Sequence, residues 1–494
     1  MELIKTDKTD KSTAYETVIG LEVHVQLSTL SKAFCADGVA FGGEPNTHTS
    51  VISLAHPGTL PRLNKKQIEY AVRLGLALNC EINRISAFDR KNYFYADLPK
   101  GYQITQDKKP ICTGGSLKIK TSAGEKNIRL HHIHMEEDAG KSIHDQDPSV
   151  SFIDLNRAGT PLLEIVTEPD FRSGEEVDAF MTAMRQLVRW VGVSDGNMEE
   201  GSMRCDVNIS VRKEGSPQFG TRCEVKNVNS MRFARRAIEF ESKRQIELIE
   251  NGGVVEQNTL NFDPATGKTA PLRSKENAHD YRYFPDPDLP PVVLSEAWIE
   301  SIKKDLPPLP WESKKELIEK YSLTEYDANL LTEDIDTLEN YLYFITGFKS
   351  NLYKPAANLF INKFLPAIHA DEHSYVKIMT HLHQWQEMLE LIESGKISAS
   401  AAYQKLYPTI LETPSVSTTV WTMAEKMNLI QSSDSDFLSE IVKDVLTKNP
   451  EKVAEYKKGK KGLLGFFVGE VMKLSKGKAE PKATNALIMK ALDN

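Results

Sequence analysis

Three short polar rows bring carboxylates, imidazoles and cations together at strand spacing. In IGLEVHVQL, Ile19, Leu21, Val23, Val25 and Leu27 alternate with Gly20, Glu22, His24 and Gln26, the period of a strand with one buried face. Glu22 and His24 then stand about 6.5 Å apart along the strand, near enough to serve one ion. In RLHHIHMEEDAGKS, alternation puts His132, His134 and Glu136 on one face and Ile133, Met135 and Glu137 on the other, with Asp138 following. Three successive carboxylates repel one another and need a compensating charge, either a hard cation or a lysine. Oxygen-rich clusters with at most one imidazole suit Mg²⁺ or Mn²⁺ better than zinc. A solvated acidic turn is the duller alternative.

The third row comes from MRCDVNISVR and GTRCEVKNVNS, which together predict a hairpin. Cys205, Val207, Ile209 and Val211 alternate with Arg204, Asp206, Asn208 and Ser210, while Cys223 and Val225 alternate with Arg222, Glu224 and Lys226. Such a face is either an exposed sheet with cross-strand ion pairs or the floor of a cleft shared with the other two rows. A different chemistry is suggested by DRKNYFYADLPKGYQITQ, where Tyr93, Phe94, Tyr95 and Tyr102 are interleaved with Arg90, Lys91 and Lys100 in a loop broken by Pro99 and Gly101. Aromatic faces stack on unpaired bases while cations meet phosphates, although aromatics also simply pack under loops. Gly140-Lys141-Ser142 and Gly267-Lys268-Thr269 imitate the end of a phosphate-binding loop, but Met135 and Phe262 stand where that loop needs a glycine. Both are rejected.

The rest of the chain supplies the scaffold for these rows. Strands are expected at 18–27, 127–136, 203–212 and 221–227, and helices at 65–79, 174–191 and 230–251, the last closed by Gly252-Gly253. Arg232, Arg235 and Arg236 near the start of that helix oppose its dipole and call for a nearby anion. After the proline-rich DPDLPPVVL, helical patterns take over at 310–322, 327–347, 373–394 and 417–428, with a final group over 435–493. The 494 residues suffice for two or three domains. No apolar run is long enough to span a membrane, and the polar N-terminus argues against a leader peptide. Five cysteines without a C-x-x-C pair fit reduced thiols in the cytoplasm and no zinc ribbon. Residues 448–490 hold eleven Lys and four Glu in a chain of net charge −8, so a basic tail rides on an acidic body, as a polyanion-binding module would.

Taken in order and spacing, ETVIGLEVHVQL, DRKNYFYADLPKGYQITQ, HMEEDAGKS, DLNRAGTPLLEIVTEPD, EEGSMRCDVNIS, EVKNVNS, DYRYFPDPDLPP and the tail GLLGFFVGEVMKLSKGKAEPKATNALI resemble the B subunits of aspartyl/glutamyl-tRNA amidotransferases over nearly the whole chain. The resemblance implies an α+β fold: an N-terminal cradle on a largely antiparallel sheet with flanking helices (1–293), an all-helical domain (294–410) and a small helical tail that binds tRNA (411–494). It implies a ligase that phosphorylates the side-chain carboxylate of Glu-tRNA(Gln) or Asp-tRNA(Asn) with ATP and Mg²⁺ or Mn²⁺. Ammonia would come from an amidase-type glutaminase, the A subunit of such complexes, with the small C subunit completing the assembly. None of the five cysteines sits in a G-x-C-x-G elbow, and the chain shows no serine-rich amidase stretch, so the ammonia is expected from a partner.

The resemblance assigns Glu22, His24 and Glu137 to the metal, with Glu136 and Asp206 as further candidates. For Glu137 to join them, the strand must bulge or end near Met135. It gives Glu137, Lys91 and Arg204 catalytic roles, and sets Tyr93, Tyr95, Tyr102 and Lys226 at the tRNA 3′ end. Lys460, Lys461, Lys473, Lys476 and Lys478 would meet the tRNA body. Asn156, Arg157 and Glu164 lie in its signature without a role that spacing supplies. Two rival readings are a noncatalytic tRNA clamp and a zinc hydrolase built on Glu22, His24, His132 and His134.

Overall fold

The structure, a computed structural model, describes residues 14–493 apart from 145, 148, 229, 273–280, 372, 415–416, 432–434 and 476–478. The chain separates into two compact units, 1–310 and 311–494. Among the described residues the first unit carries a ten-stranded sheet. Its main strands are β1 (Tyr15–Gln26), β2 (Gly124–Glu137), β3 (Pro161–Thr167), β4 (Met203–Lys213), β5 (Cys223–Val228), β6 (Thr259–Asp263) and β7 (Lys268–Pro271). They run in the order β7-β6-β5-β4-β1-β3-β2, continued by the short strands Cys112–Thr113 and Glu81–Ile82, while Ser116–Thr121 folds back on β2. Neighbours are antiparallel except β5 and β6, which run parallel.

The expected alternation is what drives the sheet together. Leu21, Val23 and Val25 of β1, Leu163 and Ile165 of β3, and Val207 and Ile209 of β4 are all buried; each contributes about 1.5–3 kcal/mol by leaving water. The helices α1 (Lys65–Ala77), α2 (Gly174–Trp190) and α3 (Met231–Glu250) pack with this sheet. Each starts where a side chain accepts an orphan backbone N–H: Asn64 for α1, Ser173 for α2 and Ser230 for α3. Gly252, at φ +76°, closes α3 in a left-handed turn that a Cβ would strain. The rejected glycine motifs open strands, Lys141–Ile143 and β7, and not helices.

Residues 89–106, expected as a loop, instead form two paired strands, Asp89–Asn92 and Tyr102–Thr105, with Lys91 opposite Gln103 and Phe284 on the far side opposite Arg90. Pro99 and Gly101 occupy only the turn between them, which local composition did not distinguish from a longer loop. Two of the three Arg residues that start α3 find local partners: Arg235 Nε lies 3.0 Å from Glu239 Oε1 and Arg236 Nη1 donates to the Pro264 carbonyl.

The second unit is helical. The pattern over 327–347 is two helices, Glu325–Leu331 and Ile335–Phe344, because the Asp334 carboxylate accepts from Thr337 N at 2.8 Å and starts a new helix. Likewise 373–394 divides into His373–Met379 and Leu382–Glu393. Leu438, Val442, Tyr456, Phe467, Val471 and Ile488 make one apolar core within the C-terminal helices. No helix among the described residues is long and apolar enough to cross a membrane.

Candidate active site

Strand register assembles the polar rows. β1 lies between β3 and β4, so His24 faces Glu164 on one side and Arg204 on the other, and β3 sets Glu164 against His134 of β2. One row across four strands therefore reads His134, Glu164, His24, Arg204. His24 Nε2 lies 3.2 Å from Glu164 Oε2 and 3.8 Å from Glu136 Oε1. His134 Nε2 lies 3.6 Å from the same Glu164 oxygen and 3.5 Å from Glu136 Oε2. Burial pushes the His24 imidazolium down, yet Glu164 and Glu136 more than offset it and hold its pKa up at about 9. His132, half-buried beside His134 and His131, is instead pushed down to about 4, by desolvation first and by those two rings second. Burial alone would raise Glu164; His134, His24 and Lys91 bring it well below the usual carboxylate range.

A second cluster sits one step along β1. Glu22 faces Asp206, and Asn208 faces Glu224. Asn208 Nδ2 donates to Glu22 Oε1 at 2.8 Å, and Lys226 Nζ lies 3.2 Å from Asp206 and 3.0 Å from Glu224. Burial and the nearby Glu164 charge raise the Glu22 carboxyl. Ligand atoms of His24, Glu136 and Glu164 fall within 4.8 Å of one another, as do those of Glu22, Asp206 and Glu224. Both donor sets are carboxylate oxygens with at most one imidazole, which fits a hard divalent cation and does not match a structural zinc site.

The five expected metal ligands are thus split. Glu22 and Asp206 belong to one cluster and His24 and Glu136 to the other. Glu137 joins neither, because the pairing of β2 with β3 runs unbroken from His134 through Glu137 opposite Pro161, the register shift falling instead between Val166 and Thr167. The break near Met135 that its inclusion required does not occur. Glu137 pairs with Lys100, accepts from Ile104 N at 3.0 Å and borders a cavity of about 30 Å³ lined also by Lys32, Phe34, Cys35, Asp138 and Gly159. Two ligand candidates, Glu164 and Glu224, were missed. Their type was visible in the sequence, but only the cross-strand register shows what they face.

The cationic and aromatic residues surround these clusters. Burial lowers the Lys91 ammonium and Glu136, Tyr283 and Glu164 more than restore it; its Nζ lies 4.9 Å from the Tyr281 ring centroid and 5.9 Å from that of Tyr93. Tyr93 contacts both Tyr95 and Tyr281, and Tyr281 contacts Tyr283, so Tyr281 and Tyr283 extend the aromatic wall. Tyr102 departs from it and lies under the Arg90 guanidinium at 4.2 Å. Arg204 Nη2 is held by Asp138 Oδ1 at 2.9 Å. Asn156 receives His48 N and donates to Glu44 O, and Arg157 Nε donates to Ala139 O, giving both a loop-fixing role. In the second unit, Lys460 pairs with Glu455 at 3.0 Å, Lys461 lies 4.2 Å from the Tyr456 ring and Lys473 lies in the last turn of the helix Leu464–Leu474. Lys476 and Lys478 lie outside the described residues.

A polar sheet face bearing two carboxylate clusters, flanked by Lys91, Arg204 and Lys226, is equipped to bind cations and anions together, as enzymes that move phosphoryl groups must. Residues 17–300 match the family described as the GatB/GatE catalytic domain and residues 342–492 match that described as the GatB domain; the chain belongs to this GatB family. Among its relatives is the B subunit of the aspartyl/glutamyl-tRNA(Asn/Gln) amidotransferase of Thermodesulfovibrio yellowstonii, 47% identical over 97% of this chain and 99% of that protein. The B subunits of the same enzyme from Persephonella marina, at 45%, and Geotalea daltonii, at 47%, match over the same shares.

Proposed function

We propose that this chain is the activating component of a tRNA-dependent amidotransferase, a glutamine-hydrolysing C–N ligase, and that the two clusters form its phosphorylation site. The observation that carries this is the row His134, Glu164, His24, Arg204 with Glu136 beside it. A carboxylate is a poor electrophile. In the reaction, the side-chain carboxylate of Glu-tRNA(Gln) or Asp-tRNA(Asn) attacks the γ-phosphorus of ATP, and ADP leaves with the bridging oxygen. Ammonia then attacks the acyl carbon; the C–N bond forms, the C–O bond to phosphate breaks, and the nitrogen loses a proton to solvent.

Such transfers depend on positioning and charge neutralisation. His24, Glu136 and Glu164 would hold one Mg²⁺ or Mn²⁺, and Glu22, Asp206 and Glu224 a second; the cations supply charge neutralisation at the phosphates. Lys91 and Arg204 meet anionic oxygens, while Lys226 turns between Asp206, Glu224 and the 3′ end. Tyr93 and Tyr95 stack on terminal bases, and Tyr102 steadies Arg90 below them. An amidase-type glutaminase, the A subunit of the complex, supplies ammonia through a path that passes the cavity beside Glu137, and a small C subunit completes the assembly. Residues 1–293 carry the chemistry, and 294–410 and 411–494 hold the tRNA, the tail through Lys460, Lys461, Lys473, Lys476 and Lys478.

The test is tRNA-dependent ATP hydrolysis and amide formation by the reconstituted complex with ammonium chloride in place of glutamine, comparing wild type, His24→Ala and Glu137→Ala. Loss of both activities in His24→Ala with Glu-tRNA still bound supports the reading. Retention would make the chain a clamp. Loss in Glu137→Ala of amide formation alone supports the ammonia path.

A further inference from the structure

Asp138 follows β2 directly, and its carboxylate reaches past β3 to β1 and β4. The crossing is possible because the segment after β2 folds over the end of β3: Asp138 N donates to Thr160 O at 2.9 Å and Gly159 N to Asp138 O at 2.8 Å. Gly140 continues this tight path, since a Cβ there would meet the Asp97 and Asp154 carbonyls at 2.9 Å. Asp138 is buried, with 4% of its surface exposed. Its Oδ2 accepts from Gln26 Nε2 at 2.7 Å, and its Oδ1 accepts from Arg204 Nη2 at 2.9 Å and from Ala139 N at 3.0 Å. Arg157 Nε stands 3.8 Å from Oδ2.

Two guanidiniums, those of Arg204 and Arg157, approach the single Asp138 carboxylate. Arg157 commits Nε and Nη2 to the carbonyls of Ala139 and Gly140, whereas Arg204 Nε is buried with no hydrogen-bond partner among the described residues. A buried donor left unpaired costs about 1–3 kcal/mol and is retained where a ligand completes it. Register puts Arg204 directly opposite His24, so its side chain stands on the same sheet face as the first carboxylate cluster.

We propose that Asp138 is a positioning residue that acts through Arg204: with Gln26 fixing one oxygen, it holds the guanidinium at the end of the row so that the free Nε–H donates to an anionic oxygen of the group being transferred. This rests on the phosphoryl-transfer reading above. A guanidinium held by a buried carboxylate has one orientation, where a lysine in the same place would have many. A purely structural Asp138 would instead staple β1 to β4 and affect stability alone.

A double-mutant cycle on the reconstituted complex separates the two. Ammonium-supported amide formation is measured for wild type, Asp138→Asn, Arg204→Ala and the double variant, with kcat and KM for Glu-tRNA and the thermal transition of each. Asp138→Asn is expected to lower kcat roughly 100-fold, the loss for misplacing a reacting group by about 1 Å, with KM little changed. In the Arg204→Ala background the same change should add less than about twofold, because residues acting as a unit are not additive. Guanidinium chloride should partly restore Arg204→Ala but not the double variant. Losses that multiply, or a lowered thermal transition with kcat intact, overturn the proposal. If Asp138→Asn does not fold, Arg204→Lys replaces it: a loss of kcat like that of Arg204→Ala supports the requirement for the fixed Nε–H, and full activity overturns it. Full activity of His24→Ala would fell the phosphoryl-transfer reading itself, independently of the cycle.

Discussion

Replacing Glu164 by Gln removes the one carboxylate that faces histidines on both neighbouring strands. Glu164 lies 3.2 Å from His24 and 3.6 Å from His134, and His24 stands at about 9 because Glu164 and Glu136 outweigh its burial. A folded-state pKa raised from 6.5 to about 9 is worth roughly 3 kcal/mol of stability. The sign is that of a group whose pKa rises on folding: the stabilisation is complete below about pH 6.5 and is lost as pH climbs through about 9. With Glu164 neutral, most of that shift disappears, leaving Glu136 at 3.8 Å as the remaining partner. The variant should be less stable than wild type by about 2–3 kcal/mol at pH 6, and the gap should narrow to below about 1 kcal/mol near pH 9.5. Scanning calorimetry of the metal-free protein, reading the transition of the sheet-rich unit at both pH values, checks this. A gap that does not change with pH would refute the account of His24 as a cation held by Glu164.

Three further outcomes follow from the same structure. Because His24 must lose its proton to bind a cation, Mn²⁺ titration at about pH 7.5 should release about one proton per His24 cluster filled, and Glu224→Gln should weaken binding as much as Asp206→Asn while sparing the His24 cluster; calorimetry in two buffers of different ionisation heat reads both. Charge reversal at Lys461 and Lys473 should lower tRNA affinity and flatten its salt dependence by roughly one unit per lost phosphate contact, measured by filter binding between about 50 and 200 mM salt; an unchanged slope would remove the tail from the interface. Burial pushes the Cys80 and Cys205 thiols up to about 12 and Cys112 well above its ordinary range, so a disulfide reagent should leave these three unreacted at about pH 8 in the native protein and reach them on unfolding in urea. Rapid native labelling of any of them would contradict the packing of the sheet.

The strands were legible from the amino acids alone, because alternation of apolar and polar residues is a local signal. IGLEVHVQL and MRCDVNISVR read as one-sided strands, and α1, α2 and α3 were expected from their helical patterns, the last with Gly252-Gly253 at its close. The sequence also determined the family, through strings long enough to be distinctive, and the polar faces, since His24, Glu136 and Arg204 lie where their alternation puts them. What it could not determine was adjacency. Alternation says which face a residue takes but not which strand lies beside it, and the order β4-β1-β3-β2 joins segments far apart in the chain. Only that order turned Glu164 and Glu224 from unassigned acids into cluster members, sent Glu137 to Lys100 across an unbroken ladder, and carried Asp138 over β3 to Arg204. A one-residue difference in strand parity decides the face, and strand order, set by packing of the whole apolar side, decides the neighbours.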